Sequence, residues 1–228
     1  AAQVDSQQFE EKIQSIVKLL PEGRFELDQT HFKGAHVDQP FLYTDKLLQL
    51  LGVEDNLEQM NKDEVWQYKV AGAMQRVAET IVWHILDDLW LKTKCENLVL
   101  SGGFFMNCVL NGKVTEKTRF KNVYISHSPD DSGNSIGAAL YVSHCIYDVP
   151  RVNQNQNSNL GPQFESNEIE TVLERRRVKF TTLPNPERTI AELLSEGNVV
   201  AVQQGRMEFG ERALGYRSIL GDPREPET

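Results

Sequence analysis

The segment QGRMEFGERALGYRSILGDPR, Gln204 to Arg224, sets Arg206, Arg212, Arg217 and Arg224 among Gly205, Gly210, Gly215 and Gly221. A guanidinium is a planar fork of donors that grips a phosphate or carboxylate from two directions. Glycine lets the backbone come close to a ligand with no side chain between. The pattern therefore reads as an anion-binding surface suited to phosphate, with Glu208 and Glu211 placed to orient the guanidinium groups. The competing reading is four solvated arginines in surface loops. Against it stand Met207, Phe209, Ala213, Leu214, Ile219 and Leu220, expected to anchor the segment to a core.

Two further loops could bind a ligand. Ser101-Gly102-Gly103, with Asn107 one turn on, exposes backbone N–H groups to an anion and leaves room for a nucleotide. A Gly-Gly pair taken alone is more often a plain turn. Pro129-Asp130-Asp131-Ser132-Gly133 leads to Gly137-Ala138-Ala139. Its paired aspartates cap a helix in the ordinary case, or one of them holds a divalent cation over phosphates. His127 precedes this loop, and a surface histidine at a strand end is the simpler reading.

The elements that must position these loops follow from periodicity. Asn97–Leu100 and Asn122–Ser126 read as short buried strands, each running into one of the two loops, with helices over Met106–Val114 and Asn134–Tyr147. Strand, glycine turn, helix, repeated, is the alternation of an α/β domain, and such domains collect ligands at strand ends. Upstream, Ser6–Leu20 has a helical period with Ser6 as cap and Pro21 as stop. Arg24–Phe32 reads as a strand and a turn, Phe41–Leu51 as a brief helix closed by Gly52, and 56–63 as exposed polar chain. Val65–Leu91 predicts a long core helix with Val70, Met74, Val77, Ala78, Ile81, Val82, Ile85, Leu86 and Leu89 on one face. His84 within it reads as a packed or surface residue. The Asn- and Gln-rich run Arg151–Gly161 reads as a linker. Glu168–Arg177 and Pro186–Glu196 predict helices, and Val199–Val202 a strand leading into the arginine run.

The chain has 228 residues, 39% hydrophobic and 25% charged, as in an ordinary soluble protein. Its 24 basic and 33 acidic side chains leave a net charge of −9, which disfavours nucleic acid or an anionic membrane as partner. A small phosphorylated ligand fits better. Cys95, Cys108 and Cys145 are odd in number and without paired spacing, so a reducing, cytoplasmic setting with small buried thiols is expected. No apolar run approaches the roughly 20 residues that span a bilayer. The abrupt ends suggest a fragment of something longer.

SGGFFMNCVLNGK, SPDDSGNSIGAAL and QGRMEFGERALGYRSILGDPR, in this order and spacing, resemble the O-carbamoyltransferases of Nod-factor and antibiotic biosynthesis. FLYTDKLLQLLG and AGAMQRVAETIVWHILDDL are similar to that family too, so the resemblance covers nearly the whole chain. The arginine-run motif is highly specific, whereas the glycine pair is shared with sugar kinases and actin-like ATPases. The resemblance implies an α/β fold in two parts: a partial actin-like/sugar-kinase-type (ASKHA) domain, then the beginning of a YrdC-like α/β domain. The first is similar to the universal tRNA threonylcarbamoyl-transfer protein, the second to the domain that makes threonylcarbamoyl-adenylate. Residues 1–150 would be the C-terminal half of the actin-like carbamoyltransfer domain, 151–163 a linker, and 164–228 the incomplete N-terminal part of the second.

In such enzymes carbamoyl phosphate and ATP yield carbamoyl-adenylate, whose carbamoyl group passes to a hydroxyl of a small-molecule acceptor. The resemblance places adenylate contacts at Gly102, Gly103, Asn107 and Gly133, and carbamoyl phosphate at Arg206, Arg212 and Arg217. It places a divalent metal, iron or magnesium, at Asp131, with Asp130 as fallback. The family's His-x-x-x-His pair has no counterpart among His31, His36, His84, His127 and His144. That departure implies a ligand pair lying before Ala1 and a fragment that does not turn over by itself. A homodimer stays open. An actin-like small-molecule kinase and a non-catalytic nucleotide-binding module are the alternatives; the kinase leaves the arginine run unexplained.

Overall fold

A computed structural model describes residues 6–34, 42–53, 62–152 and 157–224. Its contacts gather the chain into two units, Ala1–Val99 with Cys108–Tyr124, and Leu100–Asn107 with Ile125–Thr228. The architecture is mixed α/β.

In the first unit, helix α1 (Gln7–Gln14) ends well before the expected Leu20. Val17–Leu20 is instead strand β1, paired antiparallel with β2 (Arg24–Leu27) in the register Val17↔Leu27 to Leu20↔Arg24. Pro21 thus belongs to a hairpin turn, with Gly23 at φ +68°, and not to a helix stop. Ser6 stands at the helix N-terminus, but its backbone carbonyl, not its hydroxyl, accepts the N–H groups of Phe9 and Glu10. A 3-10 turn (Gln29–His31) follows, then α2 (Asp45–Leu51), closed as expected by Gly52 at φ +78°. Phe41 and most of the polar stretch 56–63 lie outside the described residues.

Helix α3 (Glu64–Thr93) is the backbone of this unit, capped by the Asp63 carboxylate, which accepts from the Trp66 N–H. Phe9, Ile13, Ala73 and Val77 form the buried cluster between α1 and α3, with Val17, Leu51, Trp66, Val70 and Ile81 packed around it. The Glu10–Arg76 ion pair at 2.7 Å joins the two helices at the edge of this cluster. The buried stripe of α3 is narrower than its apolar period implies. Ala73, Val77, Val82 and Leu86 are buried, whereas Met74, Ile85 and Leu89 face outward. His84 is a packed residue, its Nε2 lying 2.7 Å from the Leu20 carbonyl and 3.1 Å from that of Arg24.

Strand β3 (Asn97–Leu100) pairs with β4 (Asn122–Ile125), and Leu98 and Leu100 are buried while Val99 is exposed. Between them the single helix expected over Met106–Val114 is broken into a 3-10 turn (Gly103–Met106), α4 (Cys108–Asn111) and α5 (Val114–Lys117). Gly112 sits at the break, where glycine favours the interruption. The buried Glu79 carboxylate takes Lys113 Nζ at 2.7 and 2.9 Å and Gln75 Nε2 at 2.8 Å. All three cysteines are exposed, against the expectation of buried thiols.

In the second unit, α6 (Asn134–Tyr141) continues into a π-turn (Val142–Ile146). Helix α7 (Ser166–Arg175) is opened by Glu168, whose carboxylate accepts from the Glu165 N–H. Helix α8 (Pro186–Ser195) is capped by Asn185 and stopped by Gly197 at φ +82°. Strands β5 (Val200–Gln203) and β6 (Arg217–Leu220) form an antiparallel hairpin, Val200 opposite Leu220 and Gln203 opposite Arg217. β6 lies inside the arginine run, where only loop was expected. No described helix is long and apolar enough to cross a membrane.

Candidate functional site

The β5–β6 hairpin folds the arginine run back on itself, so Arg206 and Arg212 lie in the connecting loop, residues 204–216, and Arg217 opens β6. Gln204 secures the base of that loop, its N–H donating to the Tyr216 carbonyl at 2.9 Å and its Nε2 to that of Gly215 at 2.8 Å. Gly205, Gly210 and Gly215 all have positive φ. At Gly210 a Cβ would stand 2.7 Å from the His127 carbonyl oxygen, so glycine is required on two counts there.

Glu208 does not orient a guanidinium. Its Oε1 accepts the backbone N–H groups of Leu214 at 2.8 Å, Tyr216 at 2.8 Å and Arg217 at 3.0 Å. Oε2 is buried and has no hydrogen-bond partner among the described residues. Burial pushes the carboxyl up, but the N–H donors of Leu214, Tyr216 and Arg217 outweigh it and hold it at about 2. Asp222 is likewise held at about 2, first by the side chain of Arg224 and then by its N–H. Arg224 is therefore committed to Asp222 and leaves the set of candidate ligand-binding arginines.

The run is tied to residues 158–162, the end of the expected linker. Phe209 N–H donates to the Ser158 carbonyl at 2.7 Å, Gly161 N–H to Met207 at 2.9 Å, and Met207 N–H to Pro162 at 3.2 Å. Arg206 Nε donates to the Gly161 carbonyl at 2.9 Å. Backbone bonds thus hold the segment where an apolar anchor was expected. Met207 and Phe209 are half-buried, but Ala213, Leu214 and Ile219 are exposed. The middle of the linker, 153–156, lies outside the described residues.

The other two loops belong to the same unit. Gly102, at φ +107°, has open space where its Cβ would be. Its N–H is not offered to an anion, because it donates to the Pro129 carbonyl at 2.7 Å, joining the glycine pair to the aspartate loop. In that loop Asp130 is the hub. It accepts the Ser132 hydroxyl at 2.7 Å and the Ser128 hydroxyl at 3.1 Å, and the Ser132 bond leads in lowering its pKa. Asp131 is exposed. A Cβ on Gly133 would lie 2.1 Å from the Ser128 carbonyl oxygen, so this glycine is demanded by the turn itself.

Among the described residues, bonds at Arg212 and at His127 bring the arginine run against these loops. Arg212 Nη2 donates to the Met106 carbonyl at 2.6 Å, just beyond the glycine pair and beside Asn107. His127 Nδ1 lies 2.9 Å from the Phe209 carbonyl, and the two rings meet edge to face at 6.2 Å. Arg206 and Arg212 each use one donor on a carbonyl, leaving most of their five donors open; Arg217 is exposed. The glycine pair, the aspartate loop and two of the arginines are thereby linked by direct bonds, and Arg217 is held to them through its N–H on Glu208. No group of three or more His, Cys, Asp or Glu suited to a metal exists among the described residues. Glu208 as a backbone clamp escaped sequence reasoning. Its place between Gly205 and Gly210 in an arginine-rich run was the available signal.

A family profile described as the carbamoyltransferase N-terminus matches residues 4–140, and one described as the carbamoyltransferase C-terminus matches residues 191–228. An uncharacterized protein of Synechocystis is 35% identical over 225 residues, covering 93% of this chain and 35% of that protein. The nodulation protein NolNO of Sinorhizobium fredii is 33% identical over 158 residues, 68% of this chain and 23% of that protein. The 3'-hydroxymethylcephem-O-carbamoyltransferase of Streptomyces clavuligerus is 29% identical over 184 residues, 79% of this chain and 31% of that protein. The chain thus spans about a third or less of the length of these relatives.

Proposed function

Because the chain belongs to the carbamoyltransferase family, we propose that it is part of an ATP-dependent O-carbamoyltransferase acting on a hydroxyl-bearing small molecule in the cytoplasm. In this reading residues 1–150 belong to an actin-like (ASKHA) carbamoyltransfer domain, 151–163 connect, and 164–228 open a YrdC-like domain. Carbamoyl phosphate, ATP and water give carbamoyl-adenylate, pyrophosphate and phosphate. The acceptor hydroxyl then attacks the carbamoyl carbon, AMP leaves, and the hydroxyl proton is released. Nodulation proteins and a cephem carbamoyltransferase among the relatives favour a sugar or natural-product acceptor.

Arg206, Arg212 and Arg217 are assigned to carbamoyl phosphate. Its leaving phosphate gains charge during transfer, and fixed guanidinium groups stabilise that charge more than the ground state. Gly102, Gly103, Asn107 and Gly133 are assigned to the adenylate. The open side of Gly102 fits close approach of a nucleotide, whereas Gly133 serves through the turn it permits. The described residues do not by themselves fit a metal. Asp131 offers one exposed carboxylate and Asp130 is engaged by Ser128 and Ser132, while stable divalent sites take several ligands. Iron or magnesium therefore needs ligands beyond those described.

The observation that carries the reading is the Arg212 bond to Met106, which sets a guanidinium beside the glycine-pair loop. The test is pyrophosphate release from ATP by the full-length protein, with and without carbamoyl phosphate. Release that requires carbamoyl phosphate is expected, falling about tenfold or more in Arg206→Ala or Arg212→Ala as a charge-assisted bond is lost. ADP formation that needs only an alcohol would favour the kinase reading instead. Unchanged carbamoyl phosphate affinity in both variants would leave a non-catalytic module.

A further inference from the structure

The loop that presents the arginines has a return limb, residues 214–217, whose N–H groups at Leu214, Tyr216 and Arg217 all turn inward onto one oxygen of Glu208. Glu208 sits on the outgoing limb, between Arg206 and Arg212. A single side chain therefore spans the loop from the limb bearing Arg206 to the limb bearing Arg217. Glycines at 205, 210 and 215, all at positive φ, give the limbs no stiffness of their own. Few apolar contacts replace it, since Leu214 is exposed and Ala213 with it. Glu208 is 6% exposed, and its second carboxylate oxygen is buried with no partner among the described residues.

We propose that Glu208 is a positioning residue for the anionic donor, clamping the return limb so that Arg206, Arg212 and Arg217 are held at a fixed spacing for one small dianion. The proposal rests on the assignment of those arginines to carbamoyl phosphate. It adds that their spacing is set by a buried acid that touches neither donor nor nucleotide. An acid in an anion site opposes binding by charge, so its presence here is explained by what it does to the backbone. A charge-assisted acceptor is about twice as strong as a neutral one, and it reinforces the tie that Gln204 makes from the outgoing limb to the carbonyls of Gly215 and Tyr216.

The test uses the full-length protein, with carbamoyl phosphate and ATP binding measured separately by calorimetry and backbone amide exchange followed at residues 214, 216 and 217. In Glu208→Ala those amides exchange faster and carbamoyl phosphate affinity falls about thirtyfold, with ATP affinity unchanged. Glu208→Gln keeps an acceptor without the charge and loses about fivefold, so it still reads the clamp should the alanine variant fail to fold. Arg212→Ala serves as the control for the site itself. If Arg212→Ala weakens carbamoyl phosphate while Glu208→Gln and Glu208→Ala bind it as the parent does, the clamp is refuted and the site stands. Equal loss of carbamoyl phosphate and ATP affinity marks a general structural role and refutes it too. A parent protein that binds no carbamoyl phosphate overturns both the site and the clamp.

Discussion

Glycine does three different jobs in the loops around the candidate site, and substitution separates them. At Gly133 the backbone angle is ordinary, but a Cβ would meet the Ser128 carbonyl oxygen at 2.1 Å. At Gly210 the same kind of clash, 2.7 Å from His127, is added to φ +121°. At Gly137, in α6, no atom lies within 4 Å of the added carbon. Gly133→Ala and Gly210→Ala should each lower stability by about 1–3 kcal/mol, through forced backbone shifts. Gly137→Ala should raise it by about 0.5–1 kcal/mol, from helix propensity. Thermal melts of the three variants check the order; a stabilised Gly133→Ala would contradict the close approach. The sequence marked Gly133 through a motif, yet motif spacing says nothing of a carbonyl five residues back. Steric demand of this kind is readable only once the turn is built.

Elements show where periodicity suffices and where it misleads. Helix α3 was legible because 30 residues give its 3.6-residue period room to declare itself. Val17–Leu20 was not, since four apolar-rich residues satisfy a helix or a strand equally. What decides is the partner, Arg24–Leu27, which takes the backbone bonds of β1. His84 on α3 then binds the carbonyls of Leu20 and Arg24 across the hairpin mouth. β6 was missed for the same reason, because Arg217–Leu220 becomes a strand by lying against β5. The helix also holds a polar contact that no apolar pattern announces. Glu79, with its side chain 9% exposed, is paired with Lys113, whose side chain is 37% exposed. Removing the lysine leaves a buried carboxylate without its cation, with the Gln75 amide still donating to it. Lys113→Ala should cost about 1–3 kcal/mol, less than for a fully buried pair because solvent reaches the lysine. Glu79→Gln combined with Lys113→Ala should recover part of that loss, since no buried charge remains. Urea denaturation of the single and double variants reads both terms.

At the scale of the whole molecule the two units are built on different physics. The first has an apolar cluster at Phe9, Ile13, Ala73 and Val77. The buried side chains of the second are largely polar, with Ser128, Ser158, Glu208 and Asp222 below a tenth exposed. Residue types in the three candidate loops were legible, but the bonds that bring them together end on the carbonyls of Met106, Pro129, Ser158 and Phe209. A backbone carbonyl belongs to every residue, so the sequence cannot single these out. This difference makes acid a selective probe. Glu208 and Asp222, both in the second unit, have folded-state pKa values of about 2, against ordinary values of 4.5 and 3.8. A carboxyl depressed on folding contributes stability that is complete above its unfolded pKa and disappears as pH falls through the folded one. The second unit should therefore weaken between pH 4.5 and about 2, with faster amide exchange first at residues 200–224. The α3 amides around Ala73 and Val77 should keep more protection than the hairpin over the same range, because that stretch rests on an apolar cluster with Phe9 and Ile13. Glu208→Gln has no proton to take up at this position and should flatten the dependence. Exchange followed by mass spectrometry at stepped pH tests this; loss of α3 protection ahead of the hairpin would reverse the assignment of acid sensitivity.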